Sequence, residues 1–476
     1  MSAPNTHLRV DKLSLQNFRC FTDCELELHP ELTVLVADNA LGKSALLDAL
    51  RLALNVFVTT MGRSKQCRGF ERTDVHLALE KADSDGKEIE KGLMQMRFPV
   101  RFTAEGIVSG ESVTWSRSLK GDGAYLRTSM KDTRAMRAAA NRLSKQLDVI
   151  DNREGEQPTL LPIAAFYGTG RLWDEHRLTK GKRWLASTSP IRASAYLDCL
   201  SPSSSYKSFA AWYEKTADAV RDPRFKTVGS AERPDNHLAA VRDAVRAVLE
   251  PTGWAAIDWE FAPRDRSGQP QGRGFVVVEH LKNGRLPLSH LSDGVRNMVA
   301  LVADLTHRCV RLNPHLGESA ASLTPGVLLI DEVDMHLHPR WQQLVVSLLQ
   351  STFPKMQLVF STHSPHVLST VDFNSIRVIR IEAGHGETTK PFAQTLGDES
   401  AGVLARVMDV DPIPNVKSSR LLSHYHALVQ NGRDQSEEAN DTWRQLLVHF
   451  GVEHHLLQEA AILRRLQEFR RQNNLR

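Results

Sequence analysis

The sequence predicts an α/β fold built around a mixed sheet, and three stretches predict it. Residues 31–50, ELTVLVADNALGKSALLDAL, read as a strand, a loop holding Gly42-Lys43-Ser44, and a helix. Val327-Leu328-Leu329-Ile330-Asp331-Glu332 reads as a central parallel strand with two carboxylates at its C-terminal end. Leu358 to Pro365, LVFSTHSP, reads as a further strand ending in polar residues. Short unbroken apolar runs of this kind suit a parallel sheet, whose strands are covered on both faces.

Composition bounds the rest. A chain of 476 residues with 41% hydrophobic content has material for a large core, and such a length suggests about two to four lobes. With 60 basic and 56 acidic residues the net charge is +4, so any nucleic-acid surface must be local. The five cysteines (Cys20, Cys24, Cys67, Cys199 and Cys309) are odd in number and form no CxxC pair. That usage predicts reduced thiols in the cytoplasm, not disulfides or a zinc site. The N-terminus lacks an apolar signal region and no long apolar run appears, so neither export nor a membrane span is predicted.

In chain order, Leu8 to Leu28 alternates around Asn17-Phe18-Arg19-Cys20-Phe21, which predicts two antiparallel strands with Arg19 at their turn. Arg19 has two readings, a surface turn charge or a contact to nucleotide or nucleic acid. Leu32, Val34, Leu35 and Val36 form the next strand, and Leu46, Leu47, Leu50 and Leu52 mark the helix after the loop. Strand, loop and helix in that order suit a phosphate cradle. Backbone N–H groups and the positive helix end would hold a triphosphate, with Asn39 and Gly42 in the cradle. Lys43 would neutralise β/γ oxygens, and the Ser44 hydroxyl would sit on Mg²⁺.

Residues 56–128 contain strand-like runs, Met94–Phe102 and Ser112–Ser118, that continue an antiparallel sheet. Met130 to Ile150 has helical periodicity, with Met136, Ala140, Leu143, Leu147 and Ile150 on one stripe and Lys131, Arg134, Arg142 and Lys145 opposite. Such a basic face is either solvated surface or a phosphate contact. After the apolar run Leu160 to Phe166 comes Tyr167-Gly168-Thr169-Gly170-Arg171-Leu172-Trp173, a tight loop at a strand end, where α/β proteins place ligands. Arg177, Lys180, Lys182 and Arg183 then lie beside Trp173 and Trp184, a pattern that suits phosphate contact with base stacking. Ser208–Val220 and His237–Leu249 read as helices. No sustained heptads occur between Ser44 and Ser292, which excludes long coiled-coil arms.

Phe275 to His280 is a strand, and Leu291-Ser292-Asp293-Gly294-Val295-Arg296 precedes the apolar helix Met298 to Val310. A small polar loop with Gly at a helix N-terminus is a second anion site, or simply a cap. At the end of the 327–330 strand, Asp331 would hold the Mg²⁺ shell and Glu332 would polarise attacking water. His336-Leu337-His338-Pro339 reads better as cap and turn than as a metal site. His363, at a strand tip, can read a γ-phosphate and orient water.

GKS, LSDGVR, LLIDE and STHSP, in this order, resemble the head of ABC/SMC/RecF-type ATPases. NFRCF and EVDMHLHP narrow the resemblance to prokaryotic AAA-type ATPases of the overcoming-lysogenization and Septu kind. It covers roughly residues 8–60 and 285–385, where the motifs fall. The resemblance implies an ABC-type P-loop ATPase head with a mixed β-sheet core, an antiparallel β lobe, a helical insertion and a helical C-terminal tail. It implies ATP and Mg²⁺ as cofactors. Lys43 and Ser44 take the Walker A role, and Asp331 and Glu332 the Walker B role. Leu291 to Arg296, with Ser292, Gly294 and Arg296, take the signature role, and His363 that of the switch histidine. Such heads carry glycines where this chain has Ala37 and Ala40, and many have a dimer-contacting Asp at His338. Ala37 costs little at negative φ, whereas a left-handed Ala40 would cost about 1–2 kcal/mol. Slow hydrolysis is the expectation.

The predicted organisation is an N-terminal ATPase lobe over 1–190, a helical insertion over 191–280, a C-terminal ATPase lobe over 281–395 and a helical tail over 396–476. Within the tail, Ser419–Gln430, Ser436–Phe450 and His455–Gln472 read as helices. It lacks the acidic cluster of a Toprim nuclease and an HNH-like spacing, and His449, His454 and His455 read as surface residues. The expectation is an ATPase that forms head-to-tail dimers on ATP and gates a separate effector, a nuclease, in anti-phage defence. It would contact nucleic acid and no membrane. The alternatives are a RecF-like repair ATPase and a regulatory module whose nucleotide turns over little.

Overall fold

Alternation of buried and solvent-facing residues makes β1 (Leu8–Phe18) a half-buried strand, with Leu8, Val10, Leu13, Leu15 and Phe18 inward. It turns at Arg19-Cys20 into antiparallel β2 (Phe21–Glu27), pairing Phe18 with Phe21. β3 (Leu32–Val36) is buried at every position, and the loop after it leads into α1 (Lys43–Met61). These elements belong to a computed structural model that describes residues 8–62, 69–79, 94–122, 125–129, 131–150, 158–171, 192–201, 206–221, 234–261 and 274–472. The chain divides into two compact units, Met1–Met408 and Asp409–Arg476. Helix α1 is long and apolar enough to cross a membrane by composition. Its Leu46, Leu47, Leu50 and Phe57 are instead core residues of the first unit.

The first unit continues with β4 (His76–Leu79) and β5 (Met94–Arg97), which pair as a separate ribbon. β6 (Val100–Val108), β7 (Glu111–Asp122) and β8 (Tyr125–Ser129) then extend the antiparallel side from β1. α2 (Arg134–Ile150) packs on α1, and β9 (Ile163–Tyr167) is buried throughout. The predicted helices are present as α3 (Tyr206–Arg221) and α4 (Pro234–Leu249), and a small sheet follows them. That sheet is β10 (Trp254–Glu260), β11 (Phe275–His280) and β12 (Gly284–Pro287), all antiparallel.

Next come α5 (Asp293–Leu312), α6 (Ala320–Leu323), β13 (Gly326–Ile330), α7 (Pro339–Gln342), α8 (Val345–Thr352) and β14 (Met356–Ser361). α9 (Pro365–Leu368), β15 (Ile376–Glu382), β16 (His385–Thr389) and α10 (Ser400–Arg406) complete the unit, α10 packing on α9. Among the described residues, eleven strands form one sheet in the order β8-β7-β6-β1-β2-β16-β15-β3-β14-β13-β9. β15, β3, β14, β13 and β9 run parallel to their neighbours in that set. β16 joins the two halves, antiparallel to β15 and parallel to β2. The parallel half brings the C-terminal ends of β3, β13 and β14 side by side, the edge where α/β sheets place ligands.

Among its described residues the second unit holds three helices, α11 (Lys417–Gln430), α12 (Glu437–Phe450) and α13 (His455–Gln472). Their shared core is Leu422, Tyr425, Leu428, Val429, Ala439, Leu446, Leu457 and Ala460, with the Tyr425 and Trp443 rings 5.0 Å apart. Ser436 caps α12 by accepting from the Ala439 N–H. On α13, Leu457 and Ala460 face this core, while Ile462, Leu466 and Phe469 are exposed at i, i+4 and i+7.

Candidate nucleotide site

The loop between β3 and α1 is shaped by two left-handed residues. Gly42, the N-cap of α1, has φ 84°, and a Cβ there would fall 2.3 Å from Phe21 Cζ. Glycine is required at that point. Ala40 also has a positive φ, 66°, whereas Ala37 does not. The strain foreseen for this loop therefore sits at Ala40 alone. Lys43 is buried, and its Nζ donates to the carbonyls of Ala37 (2.7 Å) and Asp38 (3.0 Å). Burial lowers the pKa of its ammonium, and the nearby Asp331, Glu332, Asp38 and Asp334 oppose that shift.

These groups line a cleft of about 300 Å³, within the usual range for small-ligand sites. Residues 39–45 form one wall, and Asp331, Glu332 and His363 form the facing one. Arg19 and Cys20, in the β1–β2 turn, make the third side. Arg19 is no lone surface charge. Its guanidinium pairs with Asp48 at 2.7 Å and Asp74 at 2.9 Å, which fixes the turn, and it also faces the cleft. Asp48 lies on α1, so Arg19 ties the turn to the helix that follows the loop.

Asp331 follows β13 and is buried; Ser361, at the end of neighbouring β14, donates to its Oδ1 at 2.5 Å. Glu332 has a left-handed φ of 50°, and its N–H donates to Ser361 Oγ at 2.7 Å. Thr362 Oγ1 donates to Asp334 Oδ1 at 2.6 Å and accepts from the Ser364 N–H at 3.0 Å. His363 thus projects from a strand end anchored on both sides. The Ser44 hydroxyl and the Asp331 carboxylate, both facing this cleft, are hard oxygen donors of the type Mg²⁺ takes.

The predicted signature residues lie elsewhere. Leu291 is buried, Ser292 is the exposed N-cap of α5 without a side-chain cap bond, and Arg296 pairs with Asp293 at 2.8 Å. Gly294 is needed for close approach, since a Cβ there would fall 2.4 Å from the His336 carbonyl oxygen. The structure thus brings Asn39, Gly42, Lys43, Ser44, Asp331, Glu332 and His363 to one cleft and leaves Leu291, Ser292, Gly294 and Arg296 outside it. His338 caps α7, its Nδ1 accepting from the Arg340 N–H at 3.3 Å, in line with the cap-and-turn reading.

Two contributions were missed in the sequence. Ser361 was read only as part of a strand end, because its partners lie 30 residues away in Asp331. Tyr167 opens the tight loop in the sequence, with no local sign of its partners. Its carbonyl accepts from the Asp331 N–H at 2.9 Å, and its hydroxyl donates to Asp304 of α5 at 2.9 Å. Arg308 pairs with the same Asp304 oxygen at 2.9 Å. On α2, Arg134, Arg142 and Lys145 are exposed as expected, and Arg137 joins them. Arg142 is paired with Glu111. The Lys131 side chain, Trp173, Arg177, Lys180, Lys182, Arg183 and Trp184 lie outside the described residues.

A family model described as an AAA domain matches residues 12–211. A second AAA-domain model, whose description also names the AbiEii toxin of a type IV TA system, matches residues 178–369. The chain is 23% identical over 470 residues to the "Retron Vc95 probable ATPase" of Vibrio cholerae serotype O1 biovar El Tor, covering 92% of this chain and 86% of that one. It is 25% identical over 485 residues to the "Retron Ec83 probable ATPase" of Escherichia coli, covering 96% and 86%. A shorter match, 29% over 108 residues, is to the "Septu protein PtuA" of Bacillus thuringiensis, covering 23% of this chain and 27% of that one. Among solved structures, an SMC head bound to the C-terminal winged-helix domain of ScpA aligns with a TM-score of 0.46 at 14% identity, covering 80% of this chain and 98% of that one.

Proposed function

We propose that this chain, an SMC/Rad50-like AAA ATPase of the anti-phage defence class, closes into head-to-tail dimers on ATP and uses slow hydrolysis to gate a separate effector. One observation carries the proposal. The cleft holds the Lys43 loop, Asp331, Glu332 and His363, yet the Leu291–Arg296 loop is not among its walls. A second chain that supplied that loop would surround the triphosphate, and Ser292 at an exposed helix N-terminus is available to do so.

In this reading Lys43 leaves its loop carbonyls to meet the β/γ oxygens. Ser44 and Asp331 would hold Mg²⁺, and the ion would supply positive charge against the phosphate oxygens. Glu332 orients the attacking water, and His363 senses the γ-phosphate. The effector, a nuclease in our reading, would dock on the helical tail, and the exposed Arg134, Arg137 and Lys145 face is the surface we assign to nucleic acid. Ala40 favours one alternative, a nucleotide-bound regulator of low turnover, because its backbone strain opposes tight loop closure.

The test replaces Glu332 with Gln. With ATP and Mg²⁺ the variant should run at twice the monomer mass in light scattering, and without ATP it should dissociate. An unchanged mass under both conditions, in a protein that binds ATP, rejects the sandwich.

A further inference from the structure

We propose that Ser361 is a positioning residue for ATP hydrolysis, a hydroxyl that sets the direction of both acids at the end of β13; this rests on the ATPase reading above. β13 and β14 are parallel neighbours in register at Ile330 and Phe360, so the residues just beyond them face each other. Ser361 is fully buried there, and it makes three contacts to three consecutive residues. Its Oγ donates to Asp331 Oδ1 (2.5 Å), its Oγ accepts from the Glu332 N–H (2.7 Å), and its carbonyl accepts from the Val333 N–H (3.0 Å).

Each contact has a consequence. The proton given to Oδ1 fixes which face of the Asp331 carboxylate turns to the cleft. The acceptor offered to Glu332 holds a left-handed backbone that an L-residue resists, and that backbone aims the Glu332 side chain. A hydroxyl can do both at once because it donates one proton and accepts through its lone pairs. Alanine removes both contacts, and a thiol replaces them with weak ones. The Val333 contact belongs to the main chain and survives substitution. Ser361 therefore links the metal-holding acid to the water-orienting acid without itself lining the cleft.

The test measures steady-state ATP hydrolysis and the Mg²⁺ dependence of binding of a fluorescent ATP analogue, in the full-length chain. With Ser361→Ala we expect kcat to fall about 10- to 100-fold, the range for removing a partner of a metal ligand. Analogue binding without Mg²⁺ should stay unchanged, while the Mg²⁺ concentration for half-maximal binding should rise. Ser361→Thr and Ser361→Val form the control pair, equal in shape and different in the hydroxyl. Thr should keep more activity and the parent Mg²⁺ response, and Val should not. Equal values for Thr and Val, or an Ala variant that matches the parent in both kcat and Mg²⁺ response, overturns the proposal. A parent with no turnover beyond a Lys43→Ala control would defeat the hydrolysis reading instead, and the Mg²⁺ titration alone would then decide the role of Ser361.

Discussion

Ala40 holds a left-handed backbone at φ 66° in the middle of the phosphate loop, a conformation that costs an L-residue about 1–2 kcal/mol and glycine almost nothing. Its neighbour Ala37 holds no such angle, so the two alanines are not equivalent. Ala40→Gly should therefore tighten ATP binding or raise turnover by roughly 5- to 30-fold, the factor that 1–2 kcal/mol represents. Ala37→Gly should do neither. Calorimetric binding and steady-state hydrolysis on the two single variants check this, and equal effects from both would refute the assignment of strain to Ala40. His307 offers a second residue-scale case. It is buried in α5, stacked on Trp212 at 4.2 Å between ring centroids. Burial, first of all, and then Arg311, Arg308 and His237 push its pKa well below 6.5. The folded imidazole stays neutral where the unfolded one takes a proton. Its stabilising contribution is thus full above pH 6.5 and lost as pH falls below it, by up to about 1.4 kcal/mol per pH unit. His307→Phe keeps the ring and removes the proton site, so melting curves from pH 7.5 to 5.5 should be flatter for the variant than for the parent.

At the scale of elements, what was legible followed from how each strand is buried. β3, β9, β13 and β14 are buried at every position, so each writes a largely apolar run, and the cleft residues follow the ends of β3, β13 and β14. α11, α12 and α13 were legible within two residues at either end because Ser436 and the apolar periods bound them. β10, β12 and β16 were not. β12 and β16 are short, exposed and rich in Gly and charge, and β10 mixes Trp, Ala and Asp with little alternation. Their partners, not their own pattern, hold them as strands. The site shows the same division. Lys43, Ser44, Asp331, Glu332 and His363 announce themselves by type and place, whereas Ser361 and Tyr167 act through residues distant in sequence. Hydrogen bonds across strands leave no local trace.

For the whole molecule, the division after Met408 separates an ATPase unit from a three-helix unit with a core of its own. Each unit has the hydrophobic cluster that independent folding requires, the first far larger than the second. Helix α13 adds a property that a purely structural appendage has no need for. Its inward face, Leu457 and Ala460, completes the three-helix core, while Ile462, Leu466 and Phe469 are 55%, 52% and 59% exposed along one stripe. Exposed large apolar residues spaced at i, i+4 and i+7 suit an interaction with a partner helix or groove. A chain ended at Met408 should therefore keep ATP binding and its melting temperature for the first unit, and lose defence activity in cells. Ile462→Glu with Leu466→Glu in the full chain should reproduce that loss, with ATP binding and hydrolysis unchanged. A truncated protein that is insoluble or no longer binds ATP would show that the three helices support the ATPase fold. Full cellular activity in the double Glu variant would remove α13 as the surface through which the two units' work is joined to an effector.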